Sequence, residues 1–344
     1  MKVHEAAAKV GASPRALRFY EEKGLIAPVK QDDNGYRLYN DNDVERLRWI
    51  VALRELGLSI AQIKNALASI DKPSAFLEKV DAARGKLYEE WLAASQMLRA
   101  FDETLARWHQ KENISLDEAE AAAENIRSIR SLRDKWSDKW DFDGIARQYG
   151  THAPLTVLQH FISPSAYDAA LAQTLEWLDP QMEEKGLELG AGSGNLTMLL
   201  AESGAQLTIV EQSAEMLAIL RQRVPQVTAR RGNMLSLPVA SSHYNFIATS
   251  FAMQYLDRQQ QLLALQEMDR VLLVGGRLVI SGLMAIESGS QPADEPKSRN
   301  HEEAAHAITP STLSELTGWL KQHHYDVVSR HITESIHIII AVKM

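Results

Sequence analysis

Over roughly the last 190 residues, short apolar runs of strand length alternate with helical patterns, and this alternation limits the fold more than any other feature of the chain. The runs are "KGLELGA" (185–191), "AQLTIVEQ" (205–212), "QVTARRGN" (226–233), "YNFIATSF" (244–251) and "GRLVISGL" (276–283). Helical patterns lie between them at 195–203, 213–223 and 258–274. Parallel strands cannot be joined by a tight turn, so such alternation predicts a parallel sheet with helices on both faces. A helix over 310–323 and two strand-like runs, "DVVSRHI" and "SIHIIIAV", close the chain.

In "LELGAGSGNLT" (187–197) the first strand should end in a turn, Gly190-x-Gly192-x-Gly194. Glycines let backbone approach a ligand, and the helix starting near Asn195 aims free N–H groups at the same place. The dinucleotide fingerprint is G-x-G-x-x-G, whereas here the third glycine comes one residue early and the acidic Glu188 precedes the first. In doubly wound sheets the ligand sits beyond the carboxyl ends of the strands, here Glu188–Gly190, Glu211, Asn233 and Ser250–Phe251. Glu211 suits two ribose hydroxyls. Glu188 would repel a pyrophosphate but tolerate a sulfonium with an α-amino group. A purely structural strand-to-helix turn is the alternative reading.

The stretches "ELGAGSGN", "VEQS" and "GNM" resemble those of class I S-adenosylmethionine-dependent methyltransferases, over about residues 141–344. The resemblance implies an α/β Rossmann-like fold that binds S-adenosylmethionine or S-adenosylhomocysteine. Gly190, Gly192 and Gly194 would approach its methionine and ribose parts, with Glu188 beside them. Glu211 and the neighbouring Gln212 would meet the ribose, and Asn233 with Met234 the adenine. Ser250 and Phe251 would close the pocket. The family usually has Asp where this chain has Asn233. The lead-in "DFDGIARQYG" resembles a small-molecule subgroup in which a Tyr, here Tyr149, lies over the cofactor; that subgroup commonly has Asp where this chain has Gly150. No catalytic base is assigned. His152, His160, His243, His323 and His324 qualify only by residue type, and no pair has metal-ligand spacing, so no metal is expected.

The opposite end reads differently. Val3 to Val10 is a helix stopped by Gly11, and Ser13-Pro14 starts a second helix running to Lys23. "DDNGYRLY" (32–39) is a hairpin tip; Asp41–Asp43 cap a helix from Val44 to Leu56, and Ser59 caps another. This is a helix-turn-helix pattern. Residues 1–70 hold 11 Lys and Arg against 9 Asp and Glu, so they are net positive within a chain of net charge -8. A basic end on an acidic protein is where phosphates would be met.

Residues 2–70 resemble the winged helix-turn-helix domain of MerR-family transcriptional regulators, almost without gaps. The resemblance implies double-stranded promoter DNA and RNA polymerase as partners. Arg15, Arg18 and Tyr20 would lie on the helix that enters the major groove, and Tyr36, Arg37 and Tyr39 on a wing gripping phosphates. A helix-turn-helix used for protein contacts is the alternative.

Between these parts, Val80, Ala83, Leu87, Trp91, Ala94, Leu98, Phe101, Leu105 and Trp108 recur every 3.5 residues on average, the coiled-coil period. The reading is a homodimer through an antiparallel coiled-coil helix over 73–110, with packing against its own domain as the alternative. Residues 111–140 read as a polar helical connector. The expected domains are thus 1–72, 73–110, 111–140 and 141–344. The absence of Cys excludes disulfides, thiolate metal sites and a Cys nucleophile. No apolar run is long enough for a bilayer, so a cytoplasmic protein without a membrane partner is expected. Together these features predict a DNA-binding regulator that methylates a small molecule, or alternatively one that senses the cofactor without transferring a methyl group. The polar run 287–310 reads as a substrate lid or a loop.

Overall fold

The computed structural model describes residues 1–31, 35–110, 114–159, 161–286 and 308–344. They form two compact units, Met1–Leu87 and Tyr88–Met344, and the division falls within one helix. The hairpin tip at Asn34, the candidate His160 and nearly all of the 287–310 run lie outside the described residues.

In the first unit, α1 (Val3–Val10) ends at Gly11, whose φ of 70° places it in the left-handed region. Helix α2 (Pro14–Glu22) starts where the Ser13 hydroxyl accepts the Ala16 N–H, satisfying one of the orphan donors of a helix start. Strands β1 (Val29–Lys30) and β2 (Arg37–Leu38) pair antiparallel as the wing. Helix α3 (Asp41–Glu55) begins earlier than expected, because Asn40 and not Asp41 is its cap. Asn40 accepts from Asp43 N–H, and Asp43 accepts from Asn40 N–H. Ser59 and Gln62 cap α4 (Ile60–Leu67) in the same reciprocal way. Leu17, Leu47, Ile50 and Ile63 form the core, joined by Phe76, Val80 and Ala83 from the start of α5 (Pro73–Gln110). Val80 and Ala83 therefore serve this unit's own core, and the exposed part of the heptad stripe begins at Leu87.

The second unit contains the rest of α5, then α6 (Leu116–Asp134), α7 (Phe142–Tyr149), α8 (Ala153–Leu158) and α9 (Pro164–Leu178). There follow β3 (Lys185–Leu189), α10 (Asn195–Ala201), β4 (Gln206–Glu211), α11 (Ala214–Arg223), β5 (Thr228–Arg231) and β6 (Tyr244–Ser250). Then come α12 (Arg258–Val271), β7 (Leu272–Ala285), β8 (Ser311–Thr312), α13 (Leu313–Gln322), β9 (Tyr325–His331) and β10 (Ile336–Lys343). The sheet order is β5-β4-β3-β6-β7-β10-β9, with β8 beside β7. Strands β3 to β7 are parallel as expected, while β10 runs antiparallel to β7 and β9, which makes the sheet mixed.

Alternation along β3 sends Leu187 and Leu189 into one core and Glu188 toward the opposite face, where the Thr197 hydroxyl of α10 donates to it. Helices α12 and α13 cover the first face, and α8, α9 and α10 the second. The expected connector is more than a link. Its helix α6 buries Ile129 and Leu132 against the first core, with Trp136 just beyond it. From β3 the chain moves outward through β4 and β5, then crosses back to β6. That reversal opens a crevice at the carboxyl ends of β3 and β6.

Candidate functional site

A cleft enclosing roughly 760 Å³, part of it open to solvent, lies at this crevice. Gly190, Gly192, Glu211, Gln212, Asn233, Met234, Ser250 and Phe251 all contribute to its wall, so eight of the residues singled out from sequence converge there. Gly190 and Gly192 have φ of 65° and 56°. A side chain at Gly190 would strike the Ala252 Cβ at 2.5 Å, and one at Gly192 the Pro154 Cγ at 3.0 Å. Glycine therefore keeps this turn both left-handed and open.

Glu211 organises the turn. Its two carboxylate oxygens accept the N–H groups of Gly192 and Ser213, each at 2.8 Å, with the side chain buried. Burial pushes its carboxyl up from the ordinary range, opposed by backbone N–H groups of Ser213, Gly192 and Gln212. A carboxylate offers about four lone-pair sites, so acceptor capacity remains for a ligand hydroxyl. Asn233 donates to the Gln212 side-chain oxygen at 3.3 Å and accepts the Leu235 N–H at 2.9 Å. An Asp could do only the second. At the other wall, Ser281 donates to the Ser250 hydroxyl at 2.9 Å, and Phe251 adopts a left-handed φ of 52° while stacking near Tyr167 at 5.0 Å. A bulky residue at positive φ is costly and clusters at functional sites.

Three expected residues fall elsewhere. Glu188 lies beneath the turn rather than on the cleft wall, and burial pushes its carboxyl up to about 8. Gly194 caps α10 with φ 89°, and a side chain there would press on Leu220, so its role is local packing. Tyr149 is 42% exposed and does not line the cleft. Seven residues along α7, about 10 Å, separate it from Phe142, which does. Phe142 stacks within an aromatic group with Trp140 and Tyr255, and Asp143 ties α7 to α11 by accepting the Ser213 hydroxyl at 2.6 Å. Phe142, Tyr167, Tyr255 and Trp136 were not read from sequence. The resemblance of "DFDGIARQYG" points to Tyr149, whereas the aromatic of that helix that lines the cleft is Phe142, at its other end. Burial pushes the phenols of Tyr167 and Tyr255 up, so both stay neutral. Among the described residues lining the cleft there is no His, Lys, Arg or Asp, and no group of three His, Asp or Glu could hold a metal.

On the first unit, Arg15 and Arg18 stand exposed on α2, three residues apart and hence on one face. Phe19 beside them is 40% exposed, with the Lys23 ammonium 5.6 Å over its ring. Tyr36 is exposed on the wing. Two expectations need correction: Tyr20 on α2 and Tyr39 after β2 are both buried in the core, Tyr39 at 1% exposure, so neither ring is presented at the surface. Chain direction explains Tyr39. Strand β2 ends at Leu38, and Tyr39 N–H turns inward to the Met1 carbonyl at 2.9 Å. Arg37 is paired with Glu21, which Lys30 also meets at 3.3 Å; Arg37's hydrogen bond to Glu21 holds the guanidinium above its ordinary range.

Residues 1–70 match the family of MerR HTH regulatory proteins, and residues 187–276 match a methyltransferase domain. A probable heavy metal-dependent transcriptional regulator of Haemophilus influenzae is 34% identical over 109 residues, covering 32% of this chain and 85% of that protein. The chain belongs to the MerR family. In this MerR protein a methyltransferase domain follows the helix-turn-helix module in the same polypeptide. Heavy metal-dependent transcription regulator 2 of Rhizobium meliloti is 44% identical over 68 residues, 20% of this chain and 46% of that one. An uncharacterized methyltransferase of Alkaliphilus oremlandii is 31% identical over 118 residues, 34% and 54% of the two chains. The MerR chain thus spans about half the length of these last two curated relatives. Among its described residues no helix is long and apolar enough to cross a membrane.

Proposed function

We propose that this protein is a dimeric, promoter-binding regulator whose C-terminal domain binds S-adenosylmethionine and transfers its methyl group to a small molecule. The observation that carries the reading is the Gly190–Gly192 turn held by Glu211 at the carboxyl ends of β3 and β4. The residues fit the cofactor: the glycines leave room for backbone approach, Glu211 has acceptor capacity for ribose hydroxyls, and Asn233 and Met234 offer a polar and an apolar face for the adenine. When bound, the cofactor supplies an electrophilic methyl group. The chain's own part is to fix geometry and exclude water, since an in-line displacement is accelerated chiefly by positioning. DNA is met by Arg15, Arg18 and the wing residues Tyr36 and Arg37, with RNA polymerase as the partner at the promoter.

Calorimetric titration of S-adenosylmethionine and S-adenosylhomocysteine into the purified protein tests the cradle. Saturable binding is expected, and Gly192→Asp should abolish it, because the side chain would meet Pro154 and its charge would face Glu211. Unchanged binding in that variant would remove the cradle. A second reading, a sensor that binds the cofactor without transfer, is favoured by one observation: Glu211, the one carboxylate among the described residues lining the cleft, is fixed in place by two backbone N–H groups and holds the turn rather than standing free as a base. Transfer of a labelled methyl group to any cell-extract small molecule would decide for the enzyme.

A further inference from the structure

A second cavity of the C-terminal unit lies between α5, α6 and the turn after β5. Gln96, Arg130, Arg133, Asn233 and Ser236 contribute to its wall. Arg133 is placed firmly there: its Nε donates to the Leu235 carbonyl at 2.9 Å and its Nη1 to the Gln96 side-chain oxygen at 3.1 Å. Its Nη2 is buried and has no hydrogen-bond partner in the structure. A buried guanidinium donor left unmet within the chain is costly, and a bound water or anion is the usual partner of such a group. Arg130 stands one turn earlier on the same helix face and is exposed. Nothing in the cofactor reading uses either arginine.

We propose that this cavity is a second ligand site, taking a small molecule through one carboxylate or phosphate group held by Arg133 and Arg130. Guanidinium edges match such planar or tetrahedral oxyanions in geometry and charge. Glu89 and Asp134 line the same cavity, so its wall is balanced in charge and disfavours polyanions. The ligand therefore carries a single negative group.

Asn233 lines both this cavity and the cofactor cleft. A continuous set of hydrogen bonds runs from Gln212 in the cleft through Asn233 and Leu235 to Arg133 and then Gln96 of α5. A ligand on Arg133 that draws the turn toward itself changes one wall of the cleft, so the two sites are thermodynamically linked. The linkage rests on the cofactor reading of the cleft; the oxyanion site does not.

The test uses the full chain. Thermal unfolding of the C-terminal unit is followed in sodium acetate and in inorganic phosphate, each against chloride at matched ionic strength. The expected result is a saturable rise in Tm with acetate or phosphate that chloride does not reproduce. Whichever half-saturates lower identifies the group. Arg133→Gln should raise the half-saturation concentration at least tenfold and Arg130→Gln severalfold. Arg130 is exposed, so its variant decides alone if the other fails to fold. Tm curves that track chloride, or half-saturation unchanged in Arg130→Gln, overturn the site. Calorimetry with S-adenosylhomocysteine, with and without saturating probe, reads the linkage. An affinity that does not move overturns it, whereas no S-adenosylhomocysteine binding at all overturns the cofactor reading and leaves the oxyanion result standing.

Discussion

Glu188 shows how far burial, aided by the neighbouring Glu211 carboxylate, can move a side chain's chemistry. It sits under the glycine turn, where the Thr197 hydroxyl donates to it, and burial holds its carboxyl at about 8. In the unfolded chain it titrates near its ordinary 4.5. The folded state therefore holds a proton that the unfolded state has lost, and stability from this group is fully present below pH 4.5 and is lost as pH rises toward 8. Glu188→Gln keeps the shape and the acceptor for Thr197 but removes the titration. Relative to the parent, its Tm should climb steadily between about pH 5 and pH 8 and level off above. A constant difference across that window would refute the burial argument. The helix-turn-helix module gives a matched pair at the same scale. Arg18→Ala should weaken promoter binding by about 1–3 kcal/mol if it reads a base edge, measured by footprinting at fixed salt. Tyr39→Phe should leave DNA affinity and stability nearly unchanged, because its buried hydroxyl has no hydrogen-bond partner to lose.

Among the elements, α5 is the one whose surface is least accounted for within a single chain. Trp91, Leu98 and Phe101 stay 46%, 64% and 63% exposed along one stripe, while Leu92 is buried. An apolar stripe at the 3.5-residue period supports pairing with a second copy. Leu98→Glu with Phe101→Glu should shift light scattering from twice the chain mass to once, without loss of helicity. A persisting dimer would place the interface elsewhere. Point changes test this better than removal of the helix, since Leu92 and Gln96 belong to the C-terminal unit's own packing.

The elements also show what the sequence could and could not reveal. Caps at Ser13 and Ser59 and the five strand runs from 185 to 283 were legible, because local donors and β-branched residues encode them directly. Helices α8 and α9 went unread, as Pro154 and Pro164 mark turns as readily as helix starts. Phe142, Tyr255 and Trp136 reach the cleft through tertiary packing from distant segments, and no local spacing records that. Arg37 and Tyr39 look equivalent by strand alternation, and only the chain's turn at the end of β2 separates a half-buried ion pair from a core ring.

For the molecule as a whole, the question is whether cofactor and promoter report to each other. Linkage is reciprocal: a cofactor that tightens DNA binding must itself bind more tightly to the DNA-bound form. S-adenosylmethionine is expected to change the promoter Kd by about 5- to 150-fold, the usual range of such couplings, in fluorescence anisotropy on full-length protein. Identical DNA isotherms with and without cofactor would mean that the two modules act independently.

The amide of Asn233 has a consequence on another timescale. It must donate to Gln212 and accept from Leu235 at once. An aspartate is a single-base change away in the codon. That carboxylate could not donate, and the Gln212 amide would have to turn over to offer it an N–H in place of the oxygen. With the Gln212 oxygen and the Leu235 N–H in this arrangement, asparagine is the side chain that meets both. An exchange to aspartate would therefore register first as a turn of the Gln212 amide, seen in the line shape of that one side chain before any change in the fold.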